Sequence, residues 1–384
     1  MSEDRKDRSF EIGPIRPPSE ASSLLLQITQ GCTWNKCRFC TVYRGSTFHV
    51  IQPDDVKKNI DNMAYFRDII GDCATSEGRI DKDKLYSYLE KFTQSELECF
   101  YMVYNWLANG GESVFLQDGN SIALKPEKLA DILVYLREKF PHIKRVTTYG
   151  RAETLSRWSL EQWKLLRESG LDRIHSGFES GSDNVLKMIN KGLTQEQQID
   201  GGLKIKAAGM ELSVYFMPGI GGKEFSEENA RETAYVVNRI NPDFVRLRTF
   251  ILKLESEMFD MLRNEEFTEL TDIEKLSEIR DLIALIETPQ THVVSDHIVN
   301  LVGSLAHPIS EKEKMLAKID EILKLPQHEQ RMYQLARRYG MVEEYKHMSA
   351  ISPSQRSRFE EIIEKNPQPE QWEAYLNGIL RRYV

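Results

Sequence analysis

Two kinds of segment alternate between about residues 113 and 287, and this alternation narrows the fold more than any other feature. Short apolar runs at 113–117, 144–149, 172–178, 211–217 and 243–251 fit strands. Between them apolar residues recur at helical spacing: Leu129, Ile132, Leu133 and Leu136 stand at i, i+3, i+4 and i+7 over 126–139. Ser159 with Gln162, and Thr194 with Gln197, are capping boxes that open the next two helices, which end at Gly170 and near Gly209. Helices over 226–240 and 271–287 follow, and an earlier run at 22–29 adds a sixth strand. Strands separated by helices pair in parallel, and right-handed crossovers curl such a sheet. The expectation is an α/β protein: a partial (β/α)6 TIM-like barrel with a C-terminal helical extension. Chemistry in that architecture gathers at the C-terminal ends of the strands.

The flanks read differently. Residues 1–20 are polar and rich in proline, a loose N-terminal arm. The barrel is expected over 21–288, with a helical insertion at about 71–110 in which 83–108 reads as one long helix. Residues 289–384 form a C-terminal, mainly helical segment, in which 291–301 returns to the sheet as a short strand or loop. Hydrophobic residues make up 40% of the 384, enough for a large core. No apolar run approaches the roughly 20 residues that span a bilayer, and the charged start lacks the apolar stretch of a secretory signal. A cytoplasmic protein without membrane attachment is expected. The net charge of −8 argues against a broad nucleic-acid footprint, though a local basic groove stays open. A small-molecule substrate is favoured over a macromolecule.

Five cysteines in so long a chain are no disulfide scaffold. Three of them, Cys32, Cys37 and Cys40, form a C-x4-C-x2-C cluster straight after the first strand, hence at the rim. Such thiolates suit an iron–sulfur cluster or zinc. The spacing is also that of plant-type 2Fe-2S proteins, which need a fourth cysteine; Cys73 and Cys99 are available. Cys99 falls on the apolar stripe of a helix and reads as packing. Three thiolates alone leave one iron of a four-iron cube open to a small molecule.

Other residues with chemical potential stand at the ends of later strands. They are Asp118-Gly119 after 113–117, and Arg151 after 144–149. Gly177-Phe178-Glu179-Ser180-Gly181 follows, with Lys187-Met188-Ile189-Asn190-Lys191-Gly192 behind it. Next come Met217-Pro218-Gly219-Ile220-Gly221-Gly222, and Arg246 with Arg248, which share a face by period two. Ser295-Asp296-His297 and Asn300 make a polar cluster in an apolar setting, read as satisfied buried groups with His297 within reach of the cavity.

Together these resemble the radical S-adenosylmethionine (SAM) superfamily, in the branch of Elp3, MiaB-type methylthiotransferases and coproporphyrinogen oxidase. Cys37-Arg38-Phe39-Cys40 keeps the C-x-aromatic-C half of the common motif, while the first spacing is one residue longer. The resemblance implies a 4Fe-4S cluster on Cys32, Cys37 and Cys40, with Phe39 packed beside it. It implies that Asp118 and Gly119 receive the SAM amino group, and that Glu179 contacts SAM within the block containing Ser180. Lys191 then meets the SAM carboxylate, as does Arg151 unless it serves the substrate. Gly219 and Ile220 lie against adenine. Arg246 and Arg248 suit SAM or an anionic substrate. An external electron donor of flavodoxin or ferredoxin type is implied as a partner. The competing class is an iron–sulfur electron carrier or a zinc-stabilised binding protein, with Cys73 as a fourth ligand.

Overall fold

The computed structural model describes residues 7–303 and 305–383; the first six positions of the expected arm and the last residue of the tail lie outside the described residues. Eight strands form one sheet, neighbours in chain order: β1 Leu24–Gln27, β2 Ser113–Gln117, β3 Arg145–Tyr149, β4 Arg173–Glu179, β5 Glu211–Phe216, β6 Phe244–Leu247, β7 His292–Val294 and β8 Ala306–Pro308. The pairs through β7 are parallel, and β8 returns antiparallel. β1 and β8 are edges, so the barrel is partial. The six expected strands are present. β7 and β8, three residues each, are too short to show a period in sequence.

Alternation along the strands sorts two layers. Leu24, Leu26, Val114, Leu116 and Ile174 are buried against the helices in one continuous core. Phe115, Tyr149, His175 and Tyr215 face inward, with successive ring centroids 5.0, 6.2 and 6.3 Å apart.

Three helices fill the connection from β1 to β2: α1 Pro53–Asp72, α2 Lys82–Leu89 and α3 Gln94–Ala108. The single helix expected over 83–108 is therefore two. Thr93 and Glu96 form a capping box that starts a new helix, and the apolar stripe running through both had hidden the break. The outer helices are α4 Pro126–Lys139, α5 Ala152–Arg157, α6 Leu160–Glu168, α7 Asp183–Met188, α8 Gln195–Ala207, α9 Gly222–Ile240, α10 Glu257–Arg263 and α11 Asp272–Leu285. Both expected capping boxes, at Ser159 and Thr194, are formed. α12 Lys312–Leu323, α13 Gln327–Arg338, α14 Pro353–Lys365 and α15 Pro369–Leu380 complete the chain. This tail joins the barrel's own core through Met332, Leu335, Phe359 and Trp372. The buried Arg338–Asp272 pair, 2.7 Å, ties α13 to α11.

The described part of the arm is not loose. Gln117 accepts from the Gly13 N–H (2.9 Å) and donates to the carbonyls of Gly13 and Ile15. Phe10 exchanges backbone contacts with Cys99 Sγ at 3.2 Å. Glu20, fully buried, reaches His175 and Arg145. These partners lie 89 to 155 residues away in sequence, out of reach of any local pattern. No helix among the described residues is long and apolar enough to cross a membrane.

Candidate active site

One cavity of about 600 Å³ touches the C-terminal ends of β3 to β5 and the segments following β1, β2, β6 and β7. Cys32, Cys37 and Cys40, each half-buried, line it together. The loop that carries them is held from two sides. Within it, Asn35 Nδ2 donates to the Tyr43 carbonyl (2.7 Å). Across the barrel it is fastened to the segment after α7. Arg38 N–H donates to Ile189 O (2.9 Å), Arg38 Nη1 to Met188 O (2.9 Å), Trp34 Nε1 to Asn190 O (2.7 Å), and Asn190 Nδ2 to Lys36 O (2.9 Å). Gly192 has φ +68°, and a Cβ there would overlap the Trp34 ring, so glycine is needed on both counts.

β4 ends in a bulge between Gly177 and Glu179, and Glu179 itself has φ +64°. The bulge lays the Glu179 carboxylate over Gly177, where a Cβ would meet it. Lys191 Nζ donates to Glu179 Oε1 at 2.8 Å, and both residues are only 8% exposed. Burial works against the lysine's charge, but Glu179 and then Cys37 outweigh it and hold its pKa above the ordinary value. The ammonium also lies 5.7 Å from the Phe39 ring. Arg151 stacks over Trp34 at 5.4 Å and donates to the Lys191 carbonyl at 3.0 Å. Burial pushes the Cys37 thiol up, while Lys191 and Arg151 pull it back toward the thiolate that a metal needs.

Among the described residues no three His, Cys, Asp or Glu side chains gather as ligands of one metal ion. The three thiols share the cavity wall, and no fourth Cys lines it with them among the described residues. Cys73 and Cys99 do not join them. Both are buried in the hydrophobic core, Cys73 at the C-cap of α1 and Cys99 within α3.

Phe39, Gly119, Arg151, Glu179, Lys191 and Arg248 line the same cavity as the cysteines. Asp118, Ser180, Gly219 and Ile220 do not, and each has other work. Buried Asp118 accepts from the Tyr43 hydroxyl and so anchors the end of the cysteine loop. Burial raises its pKa, opposed by Tyr43 and the N–H groups of Gly31 and Gly119. Ser180 accepts from Ser182 N–H (3.0 Å). Gly219 N–H donates to Glu278 (2.9 Å) behind the wall, and burial pushes that carboxyl up to about 7. Ile220 sits in a core with Val185 and Phe267, and Met217 is the cavity residue of that turn. Arg246 and Arg248 part company. Arg246 is spent on Asp296 (2.6 Å) and Ser213 (3.1 Å), whereas Arg248 opens into the cavity. Asn300 is satisfied by Thr249, Leu247 and Ser295, and His297 lines the cavity.

Sequence reasoning missed the inner wall. Tyr149, His175 and Tyr215 belong to it, as do Arg16 and Pro17 of the arm. His175 Nε2 lies 3.4 Å from Glu20. Burial depresses its pKa to about 4, while Glu20 is lowered to about 2, its hydrogen bonds and neighbouring cations prevailing over burial. The period-two pattern of β4 and β5 marks His175 and Tyr215 as sharing a face with Glu179 and Met217, a signal present in the sequence.

Residues 26–234 match the family described as the radical SAM superfamily. A 4'-phospho-dehydrooxetanocin synthase of Priestia megaterium is 26% identical over 200 residues, 51% of this chain. The chain spans 23% of that curated relative's length. Among solved structures it is similar to the archaeal Elp3 of Methanocaldococcus infernus with an N-terminal deletion (17% identity, 57% of each chain, TM-score 0.43). It is also similar to methylornithine synthase, PylB (13% identity, 71% of this chain and 64% of that one, TM-score 0.44). Fold and site define an α/β partial barrel with a cysteine-lined cavity at its C-terminal rim. The chain belongs to the radical SAM superfamily of enzymes.

Proposed function

We propose that Cys32, Cys37 and Cys40 hold a 4Fe-4S cluster whose fourth iron takes SAM, and that the enzyme acts on a small-molecule substrate. When bound, these groups supply reductive cleavage of the sulfonium to methionine and a 5'-deoxyadenosyl radical that takes hydrogen from the substrate. The chain's residues bind, orient and exclude water. Lys191 and Arg151, beside the cysteine loop, offer cations to the methionyl carboxylate. Glu179, fixed by Lys191, accepts from ribose hydroxyls. Gly119 gives backbone access and Met217 an apolar contact for the nucleoside. Phe39 packs beside the cluster, and the Tyr149–Tyr215 wall keeps the chamber's inner end dry. An external flavodoxin- or ferredoxin-type protein delivers the electron, in the cytoplasm where thiols stay reduced. The relative named a synthase of a 4'-phospho compound supports a small-molecule substrate.

One observation carries this reading: the three thiols share one cavity with the ion-paired Glu179 and with Lys191 and Arg151 among its cations, and no fourth thiol lines it among the described residues. The test is anaerobic reconstitution followed by reductive SAM cleavage. The wild-type chain is expected to form 5'-deoxyadenosine, and Cys37→Ala to lose both the brown chromophore and cleavage. A Cys37→Ala protein that still forms 5'-deoxyadenosine overturns the assignment.

A further inference from the structure

The charges lining the cavity do not balance. Arg16, Arg151, Lys191, Arg248 and Lys253 face it, against Glu179 as its single carboxylate among the described residues. The chain as a whole carries −8, so this is a local reversal of sign. Lys191 is matched by Glu179 at 2.8 Å. Arg151 is turned onto the Trp34 ring and the Lys191 carbonyl. Arg16, Arg248 and Lys253 have no salt-bridge partner among the described residues. Asp296, the residue next to His297 of the cavity, is taken by Arg246 at 2.6 Å. His297 adds no further positive charge, because burial and then the Arg248 charge depress its pKa to about 4 and keep it neutral. A second, independent observation sits in the same cavity. His175 Nδ1 is buried without a hydrogen-bond partner among the described residues, and the buried Tyr215 hydroxyl has only the neighbouring Tyr149 side chain to meet it. Native interiors usually meet such groups with protein, water or a ligand.

We propose that Arg16, Arg248 and Lys253 form a subsite for a phosphate or carboxylate group of the substrate, with Tyr215 completing its hydrogen bonds. This deepens the reading above and rests on it only for the position of SAM. SAM brings one carboxylate, which Arg151 and Lys191 serve, and its sulfonium adds a positive charge. Three cysteinates on a four-iron cube add a small net negative charge, yet the cavity stays positive, and Arg16 and Arg248, both solvent-exposed, and half-buried Lys253 are free to meet an anion from the substrate. An arginine fork suits either a phosphomonoester or a carboxylate, and a cation-lined cleft concentrates such anions.

The test uses the full chain loaded with cluster and SAM, kept anaerobic and without reductant. Binding of glycerol phosphate, of malonate and of uncharged glycerol is measured by calorimetry. At least one anion is expected to bind with a Kd of about 1 mM or tighter, and glycerol not at all. The preferred anion tells phosphate from carboxylate recognition. In the Arg248→Gln/Lys253→Gln double variant that Kd is expected to weaken about tenfold or more, as loss of charge-assisted hydrogen bonds requires. Lys58→Gln, which removes a charge from an exposed face of α1, is expected to change it less than about twofold. Absorbance of the loaded cluster reports that the variants fold and load. Neither anion binding, or an unchanged Kd in the double variant, overturns the proposal. SAM cleavage by the wild-type chain, measured separately, tests the cofactor reading without either probe.

Discussion

Removing Lys191 strands a charge. Its ammonium is 2.8 Å from Glu179, and the two side chains are 10% and 11% exposed. At an effective dielectric near 20 the direct attraction is about 6 kcal/mol, most of it cancelled by desolvating two ions. The pair as a whole therefore contributes little, but either half alone is expensive. Lys191→Met leaves a buried carboxylate without its cation and is expected to cost about 3–5 kcal/mol. Adding Glu179→Gln removes the orphaned charge, so the double variant is expected to recover most of that loss. The assay is urea unfolding of the cluster-free chain at pH 7.5, with both single variants and the double. Because the Lys191 pKa is raised in the folded state, the pair's contribution is complete below the ordinary lysine pKa and declines only as pH climbs through the raised one. The gap between wild type and Lys191→Met should hold constant from pH 7 to 9 and close only in stronger alkali. A Lys191→Met protein within about 1 kcal/mol of wild type refutes the buried-pair argument. So does a double variant as damaged as the single, since lost packing and not lost pairing would then be the cause.

Gly192→Ala puts a methyl into the Trp34 ring at a left-handed position, for about 2–4 kcal/mol of combined strain and overpacking. It is expected to lower iron and sulfide retained per chain after reconstitution, and Trp34→Ala in the same chain to restore part of the loss; equal retention in Gly192→Ala and wild type refutes it. The cluster-free chain is expected to lose stability as pH falls from 6.5 toward 4, because His175 stays neutral in the fold while the unfolded chain takes up a proton. His175 alone accounts for about 2 kcal/mol at pH 5, and His297 acts in the same direction. The urea midpoint of His175→Gln should accordingly fall less between pH 7.5 and 5. Glu20 adds loss at lower pH, as acid approaches its depressed pKa of about 2.

What sequence could show here is what is local. Capping boxes at Ser159 and Thr194 are set by residues three apart, and both formed. The Thr93–Glu96 box is just as local, but the apolar stripe from Leu85 to Leu107 masked it, because a break in backbone need not break a stripe. Period two put Arg246 and Arg248 on one face, yet only partners decide their use. Asp296, 50 residues on, takes the first, and no carboxylate of the described chain takes the second. The same holds for the arm. Proline and polar content argue for a loose end, while Gln117, Cys99 and His175, all far along the chain, bind it down. Asp118 was legible as a residue at a strand end but not as the partner of Tyr43, which sits 75 positions earlier and fixes its carboxylate to the end of the cysteine loop.

The segment from Met188 to Gly192 links two things that sequence presents as separate motifs. Its carbonyls and Asn190 hold the cysteine loop from about 150 residues away, and Lys191, from within it, holds Glu179. Asn190 at φ +50° and Gly192 at φ +68° bend the backbone so that both can happen within three residues. Any displacement of the cysteine loop therefore pulls on the segment that places the cavity's ammonium, and any displacement of Lys191 pulls on the loop. Thiol wall and cation are one mechanical unit, and a substitution on either side is felt on the other without touching it.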